Sequence, residues 1–314
     1  METILQRNAA QPDAGGPHDT AVPAPVKAAP VRLTGRMRLE EALQCMGLNC
    51  LRQIQANVPG VLLQDVESLH QMRVGLRRLC ALLDMFEDQA PLPGQVRESV
   101  EWLSGELGAT RDWDVLAGST LAAIKGPDLD KLRSIAAQRA TTLHRGMLKT
   151  LHDPRYAQLT MQLNGWFQGR QWRQRGKLPK DSPLAARARD AMAPLLRKAQ
   201  RRLRKRIGTL DEQDAGARHR VRIAAKKARY AAEFFRDLLP GRRVKQYVRT
   251  LSGLQDKLGH LNDLAVADRL LGEVEAGAPS PEARYARGYL AGTGEAESRH
   301  LRSALDAIER LKMT

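Results

Sequence analysis

Aromatic residues make up only 4% of this 314-residue chain, and it has just three cysteines, Cys45, Cys50 and Cys80. At those spacings the thiols form neither a disulfide framework nor a CxxC metal pair, and they read as reduced core residues. No apolar run approaches the roughly 18 to 20 residues that a membrane-spanning helix needs. The N-terminus, METILQRNAAQPDAGGPHDT, lacks the basic head and apolar core of a secretory signal, so the expected location is the cytoplasm. Alternating β-branched runs are missing as well. Strands therefore have no signature here, and the expected fold is all-α.

What the chain has in excess is positive charge. Lys+Arg number 51 against 35 Asp+Glu, a net +16. An imbalance of that size points to an anionic partner: nucleic acid, an anionic membrane surface or a phosphate polymer. Residues 1–31 are rich in Ala, Pro and Gly without hydrophobic periodicity, and read as a disordered tail. From Arg36 the pattern becomes helical. Leu39, Leu43, Met46, Cys50 and Ile54 recur at three-to-four spacing, and a second helix is expected after Pro59-Gly60. Further helices are expected to begin near Pro93, Pro127 and Pro154.

The chain also repeats itself. HQMRVGLRRL at His70 returns as HRVRIAAKKA at His219, an offset of 219 − 70 = 149. LGATRDWDV at Leu107 returns as LGHLNDLAV at Leu258, an offset of 258 − 107 = 151. Two blocks in one order at nearly one offset imply two copies of a helical unit, 32–168 and 183–314, joined by a linker over 169–182.

At about 100° per residue, His70, Arg73 and Arg77 share one helix face while Met72, Leu76 and Leu79 share another. In the second block His219, Arg222, Lys226 and Arg229 form the stripe, opposed by Val221, Ala225, Ala228 and Phe235, and Arg78 and Lys227 sit beside the two rows. A basic face is ordinarily a solvated one. Here a histidine opens the stripe in both copies, and acids that would make i,i+4 pairs are scarce. Between Arg187 and Arg229 there are 15 Lys/Arg and 4 Asp/Glu. If the copies pack about a pseudo-twofold axis, the stripes face each other and focus positive potential between them. Arg offers phosphate oxygens a planar fork and Lys a mobile point charge. The stretch from His219 to Arg229 spans about 15 Å, which suits an extended polymer better than a single phosphate.

His70-x-x-Arg73-Val74-x-x-Arg77-Arg78 and His219-x-x-Arg222-Ile223-x-x-Lys226-Lys227-Ala228-Arg229 resemble the signature helices of the CHAD family, the conserved histidine α-helical domain. The Leu107-Gly108-x-x-Arg111-Asp112 and Leu258-Gly259-x-x-Asn262-Asp263 segments resemble its second signature. That resemblance implies two tandem helical bundles related by a pseudo-twofold axis around a central basic pore. It also implies binding of inorganic polyphosphate and, for some members, association with polyphosphate granules. Carried over by position, the contacts are His70, Arg73, Arg77 and Arg78, then His219, Arg222, Lys226, Lys227 and Arg229. Cys80 departs from the pattern, standing where the counterpart of Arg229 is usually another Arg. No ExExK signature of the triphosphate-tunnel domain that accompanies some members is present, so no catalysis is expected.

Lesser signals complete the reading. Asp112 and Asp263 are expected to orient a stripe Arg or His from behind, and Arg111 to add to the pore. Arg38, Arg52, Lys198, Arg202 and Arg206, on the helices before the signature helices, are candidate additions to the basic wall. The linker cluster around Arg170, Trp172 and Arg173 has the make-up of a weak single-strand grip. The remaining histidines lack metal-ligand spacing, and cations surround His70 and His219, so no metal or cofactor is expected. The alternative is a helical nucleic-acid-binding protein using the same surface, although the stripes lack aromatics for base stacking.

Overall fold

The computed structural model describes residues 23–179 and 181–311, and every regular element among them is helical. The chain runs α1 (Leu39–Ala56), α2 (Val58–Leu62), α3 (Val66–Met85), α4 (Gly94–Val115), α5 (Leu121–Ala123), α6 (Asp130–His152) and α7 (Pro154–Gln168). It continues α8 (Ala188–Gly208), α9 (Ala215–Phe234), α10 (Gly241–Gly277), α11 (Pro281–Ser298) and α12 (Leu301–Glu309). None of the helices among the described residues is long and apolar enough to cross a membrane.

Local chemistry sets the starts of the two signature helices. Asp65 caps α3 by accepting from Ser68 N–H at 2.7 Å, and Asp214 caps α9 by accepting from Gly216 N–H at 2.7 Å. The expected helix after Pro59-Gly60 is divided in two: Pro59 opens the short α2, and α3 begins only after Gln64 takes a positive φ of 61°. The apolar faces read from sequence are the buried ones, with Met72, Leu76, Leu79, Val221, Ala225 and Ala228 all at or below 1% exposure.

Helices α3 and α9 pack against each other, α1 against α3, and α8 against α9. Arg38 at the start of α1 pairs with Arg187 at the start of α8, its counterpart at the offset of 149 seen in sequence. Leu39 N–H donates to Ala186 O at 2.9 Å and Ala188 N–H to Met37 O at 2.8 Å. Equivalent positions meeting each other is the contact that a twofold relation between halves would make.

The apolar interior is in two parts. One includes α1, α3, α8 and α9 with the first parts of α4 and α10, as far as Leu107 and Leu261. The other joins the ends of α4 and α10, from Trp113 and Leu264, to α6 and α11. The Leu-Gly segments of the second signature fall at this seam.

Two expectations meet a different outcome. Of the tail expected to be disordered, residues 1–22 lie outside the described residues, but 23–33 run extended along α1. Asn57 holds Val26 through both backbone groups at 2.9 Å, Asn49 donates to Ala29 O at 2.9 Å, and Val31 and Leu33 are buried. The linker cluster is not a free grip either. Arg173 makes two hydrogen bonds to Glu40 at 2.8 and 2.9 Å, Arg170 reaches the same carboxylate at 3.4 Å, and Trp172 packs edge-on to Trp166. Glu40 is 1% exposed, so these arginines neutralise a buried acid.

Candidate anion-binding site

Because α3 and α9 are in contact, the faces opposite their apolar sides turn toward a shared space at the seam. Arg73 and Arg77 come from α3, Arg222 and Lys226 from α9, and each lies within electrostatic reach of cations on the other helix. Arg111 of α4 joins them, close enough to act on both His70 and Arg73. The two stripes therefore converge.

Acids hold part of this cluster in place. Arg73 sits 3.5 Å from Asp112 and donates to Gly108 O at 3.4 Å, while Arg269 approaches the other Asp112 oxygen at 3.9 Å. Asp263 attracts Arg222 and Lys226. His219 Nδ1 lies 2.6 Å from Asn262 Oδ1. Arg222 lies beside Gly259 of α10, where an added Cβ would stand at an ordinary 3.9 Å from its Nε.

The cluster is short of negative charge. Burial, then repulsion from Arg77, Arg222 and Arg73, pushes the Lys226 ammonium down to about 6. Burial and the Arg111 charge lower the His70 imidazole, and burial with its cationic neighbours also depresses Arg73 and Arg222. Burial lifts the Asp112 carboxyl above the usual carboxylate range against the pull of Arg73 and Arg269. Three buried nitrogens of this cluster, His70 Nδ1, Arg77 Nε and Arg222 Nε, have no hydrogen-bond partner among the described residues. Such groups are costly to leave unmet inside a protein.

The CHAD domain family model matches residues 46–272, which span both signature pairs. The chain belongs to the CHAD family. A crystal structure of the CHAD domain from the plant Ricinus communis is 34% identical and superposes with a TM-score of 0.84, covering 92% of this chain and 98% of that one. PptA from Streptomyces chartreusis is 18% identical with a TM-score of 0.60, covering 87% of this chain and 100% of that one, a likeness of fold. No functionally curated protein matches.

Within this CHAD domain, three of the nine expected contacts have other occupations. Arg78 is buried and turns away from the cluster, donating to Gln53 Oε1 at 2.9 Å and Asn49 Oδ1 at 2.8 Å on α1, with its guanidinium over the Phe234 ring. Lys227 is paired with Asp84 on the far flank of α9. Arg229 lies on the stripe, yet Gln255 at 2.9 Å and Glu233 at 2.7 Å engage it, and it stacks on Tyr230. At its counterpart position, burial pushes the Cys80 thiol up to about 11. Of the candidate wall, Arg38 is exposed with its backbone bridged to Arg187 at the α1–α8 junction, and Arg52 is exposed and folds back on Leu48 O. Lys198, Arg202 and Arg206 line a separate groove between α8 and α9. Sequence reasoning missed Arg269, which no motif marks, and the use of Asn262 as the partner of His219.

Proposed function

We propose that this CHAD domain binds inorganic polyphosphate, without turning it over, in a basic pore between its two halves. Arg73, Arg77, Arg222 and Lys226 are the cationic contacts, and His70 and His219 donate hydrogen bonds from the start of each stripe. The observation that carries the reading is the convergence of Arg73, Arg77, Arg222 and Lys226 from two packed helices, whose mutual repulsion adds to burial in lowering Arg73, Arg222 and Lys226. A chain of phosphates offers the guanidinium groups oxygen acceptors and relieves the repulsion that discharges Lys226. Membership of the CHAD family supports the same reading, as does the pairing of Arg38 with Arg187, which fits halves related by a pseudo-twofold axis. Asp112 and Asp263 orient the cations from behind, and their engagement with arginines leaves them poorly placed to activate water.

The deciding experiment is competition of long-chain polyphosphate against duplex DNA and RNA at physiological salt. Polyphosphate is expected to win, with an affinity that falls steeply as salt rises. Replacing Arg77 and Arg222 with Gln should weaken binding by at least about a hundredfold, on the scale of about 1.5 to 3 kcal/mol for each charge-assisted hydrogen bond. A preference for nucleic acid would replace this reading with the nucleic-acid one. Steady release of orthophosphate would show an enzyme instead. Association with polyphosphate granules is the cellular form of the proposal, and a tagged Arg77→Gln/Arg222→Gln chain should fail to co-localise with them.

A further inference from the structure

We propose that the groove between α8 and α9 is a docking site for an extended acidic peptide segment of a partner protein. The argument begins in the other half of the molecule. There the chain's own segment 26–33 lies extended over α1 and α3, bonded to Asn57 and Asn49, with Ala28–Val31 against Val74 and Arg78. This face of the fold is therefore shaped to hold an extended peptide.

Shifting the α1 positions Asn49, Gln53 and Asn57 and the α3 positions Val74 and Arg78 by the offset of 149 gives Lys198, Arg202, Arg206, Ile223 and Lys227. All five line one cavity of about 610 Å³ between α8, α9 and the end of α3. No described segment of the chain crosses it as 26–33 crosses its counterpart. The anchor at the end of the occupied groove recurs too. Asp237 accepts from Leu33 N–H at 3.3 Å, and its counterpart by the same offset, Asp88, stands beside Lys198.

The differences between the two grooves define the occupant. In the filled groove amide side chains bond the peptide backbone. In the open one the same positions carry cations, and Arg206 and Lys205 form no salt bridge among the described residues. Those cations call for acidic side chains. The floor remains apolar: Leu195, Ala199, Ala224 and Ala231 line it, and Ile223 is 38% exposed. A polyphosphate chain gives Ile223 nothing to pack on, whereas an extended peptide alternates its side chains between floor and rim. The groove turns away from the polyphosphate cluster: at about 100° per residue Ala224 and Ala231 lie on the flank of α9 opposite Arg222 and Lys226, and Ile223 stands at the edge between the two.

The test uses the full chain and a fluorescein-labelled peptide with the sequence of residues 23–33 carrying Lys27→Glu, Ala28→Glu and Arg32→Glu. Fluorescence anisotropy should show saturable binding at least tenfold tighter than for the unsubstituted peptide. Arg202→Glu/Arg206→Glu should lose at least tenfold of it. Ile223→Asn, an exposed change that adds no charge and whose folding is checked by circular dichroism, should lose a similar factor while long-chain polyphosphate binds within twofold of wild type. Three results would each overturn the proposal. These are no saturable peptide binding, equal peptide binding to Ile223→Asn (charge attraction alone), and a loss in Ile223→Asn confined to polyphosphate, which would make the groove a phosphate surface.

Discussion

Lys226 offers the sharpest test of the binding reading, because the free protein holds it largely uncharged. Burial beside Arg77, Arg222 and Arg73, offset only in part by Asp263, brings its ammonium down to about 6. At pH 8 such a group carries its proton in roughly one molecule in a hundred. Polyphosphate reverses the cause by placing negative charge among those cations, so binding should pull a proton onto Lys226. Recharging it from about 6 at pH 8 costs about 3 kcal/mol, taken from the intrinsic affinity. Affinity should therefore be greatest below pH 6 and fall by about tenfold per pH unit above it, until the pKa in the complex is reached.

Titration calorimetry at pH 8, in phosphate-free buffers of differing ionisation enthalpy, should report uptake of about one proton per site. Lys226→Met should abolish that uptake. The affinity gap between wild type and Lys226→Met should be widest near pH 6 and close as pH rises, since the wild-type lysine is then as neutral as the methionine. Stability of the unliganded protein runs the opposite way. An unfolded lysine, near 10.4, keeps its proton where the folded one has lost it, so the penalty is full below about pH 6 and fades up to 10.4. A gap that stays constant from pH 6 to 9, with no proton uptake, would mean that Lys226 is already charged in the free protein. The picture of a cluster short of negative charge would then be refuted.

Three further outcomes follow from the same geometry. Arg78→Met should cost about 2 to 4 kcal/mol in urea unfolding, because Gln53 and Asn49 lose a buried partner, yet leave polyphosphate affinity within about twofold. Asp112→Asn keeps an acceptor for Arg73 but removes a charge that competes with the ligand, so binding should tighten by about two- to fivefold at low salt; Asp112→Ala, which also frees Arg73, should not share the gain. Glu40 is held below the usual carboxylate range because Arg173 and Arg170 outweigh the opposing effect of burial. Its contribution to stability is present above about 4.5 and lost as pH falls through the folded value. Glu40→Gln should thus cost about 2 to 4 kcal/mol at pH 7, with the gap to wild type closing in acid thermal melts.

Helical phase made the site legible in sequence, because packing obeys it. His70, Arg73 and Arg77 had to oppose Met72, Leu76 and Leu79, and once those were buried the cations could turn only toward the seam. Phase gives a direction but not what waits there. Arg78 is one residue from Arg77 and about 100° away, a rotation that brings it to Asn49 and Gln53 on a helix distant in sequence. Arg229 has the right phase and is still taken, because Gln255 reaches it from α10. Arg269 meets Asp112 across two helices without any motif to announce it.

The N-terminal segment shows a different limit, and it is the one on which the second groove depends. Residues 23–31 read as disordered because their side chains have no period, but an extended strap is held by its backbone, and backbone bonding needs no period in the strap's own sequence. The signal sat in the partner instead, in Asn49 and Asn57, two amides on one face of α1. Their counterparts Lys198 and Arg206 looked like more of one long basic wall, because a count of charges cannot separate two flanks of a helix pair. With the strap in view, the substitution of cations for amides at matched positions becomes a change of ligand on a conserved shape. The two faces of α9 then carry different chemistry. One, with Arg222 and Lys226, is buried and short of anions; the other, with Ile223 and Lys227, is open and apolar at its base. Ile223→Asn is the change that separates them, since it removes the apolar base of the groove without adding charge beside Lys226 and His219.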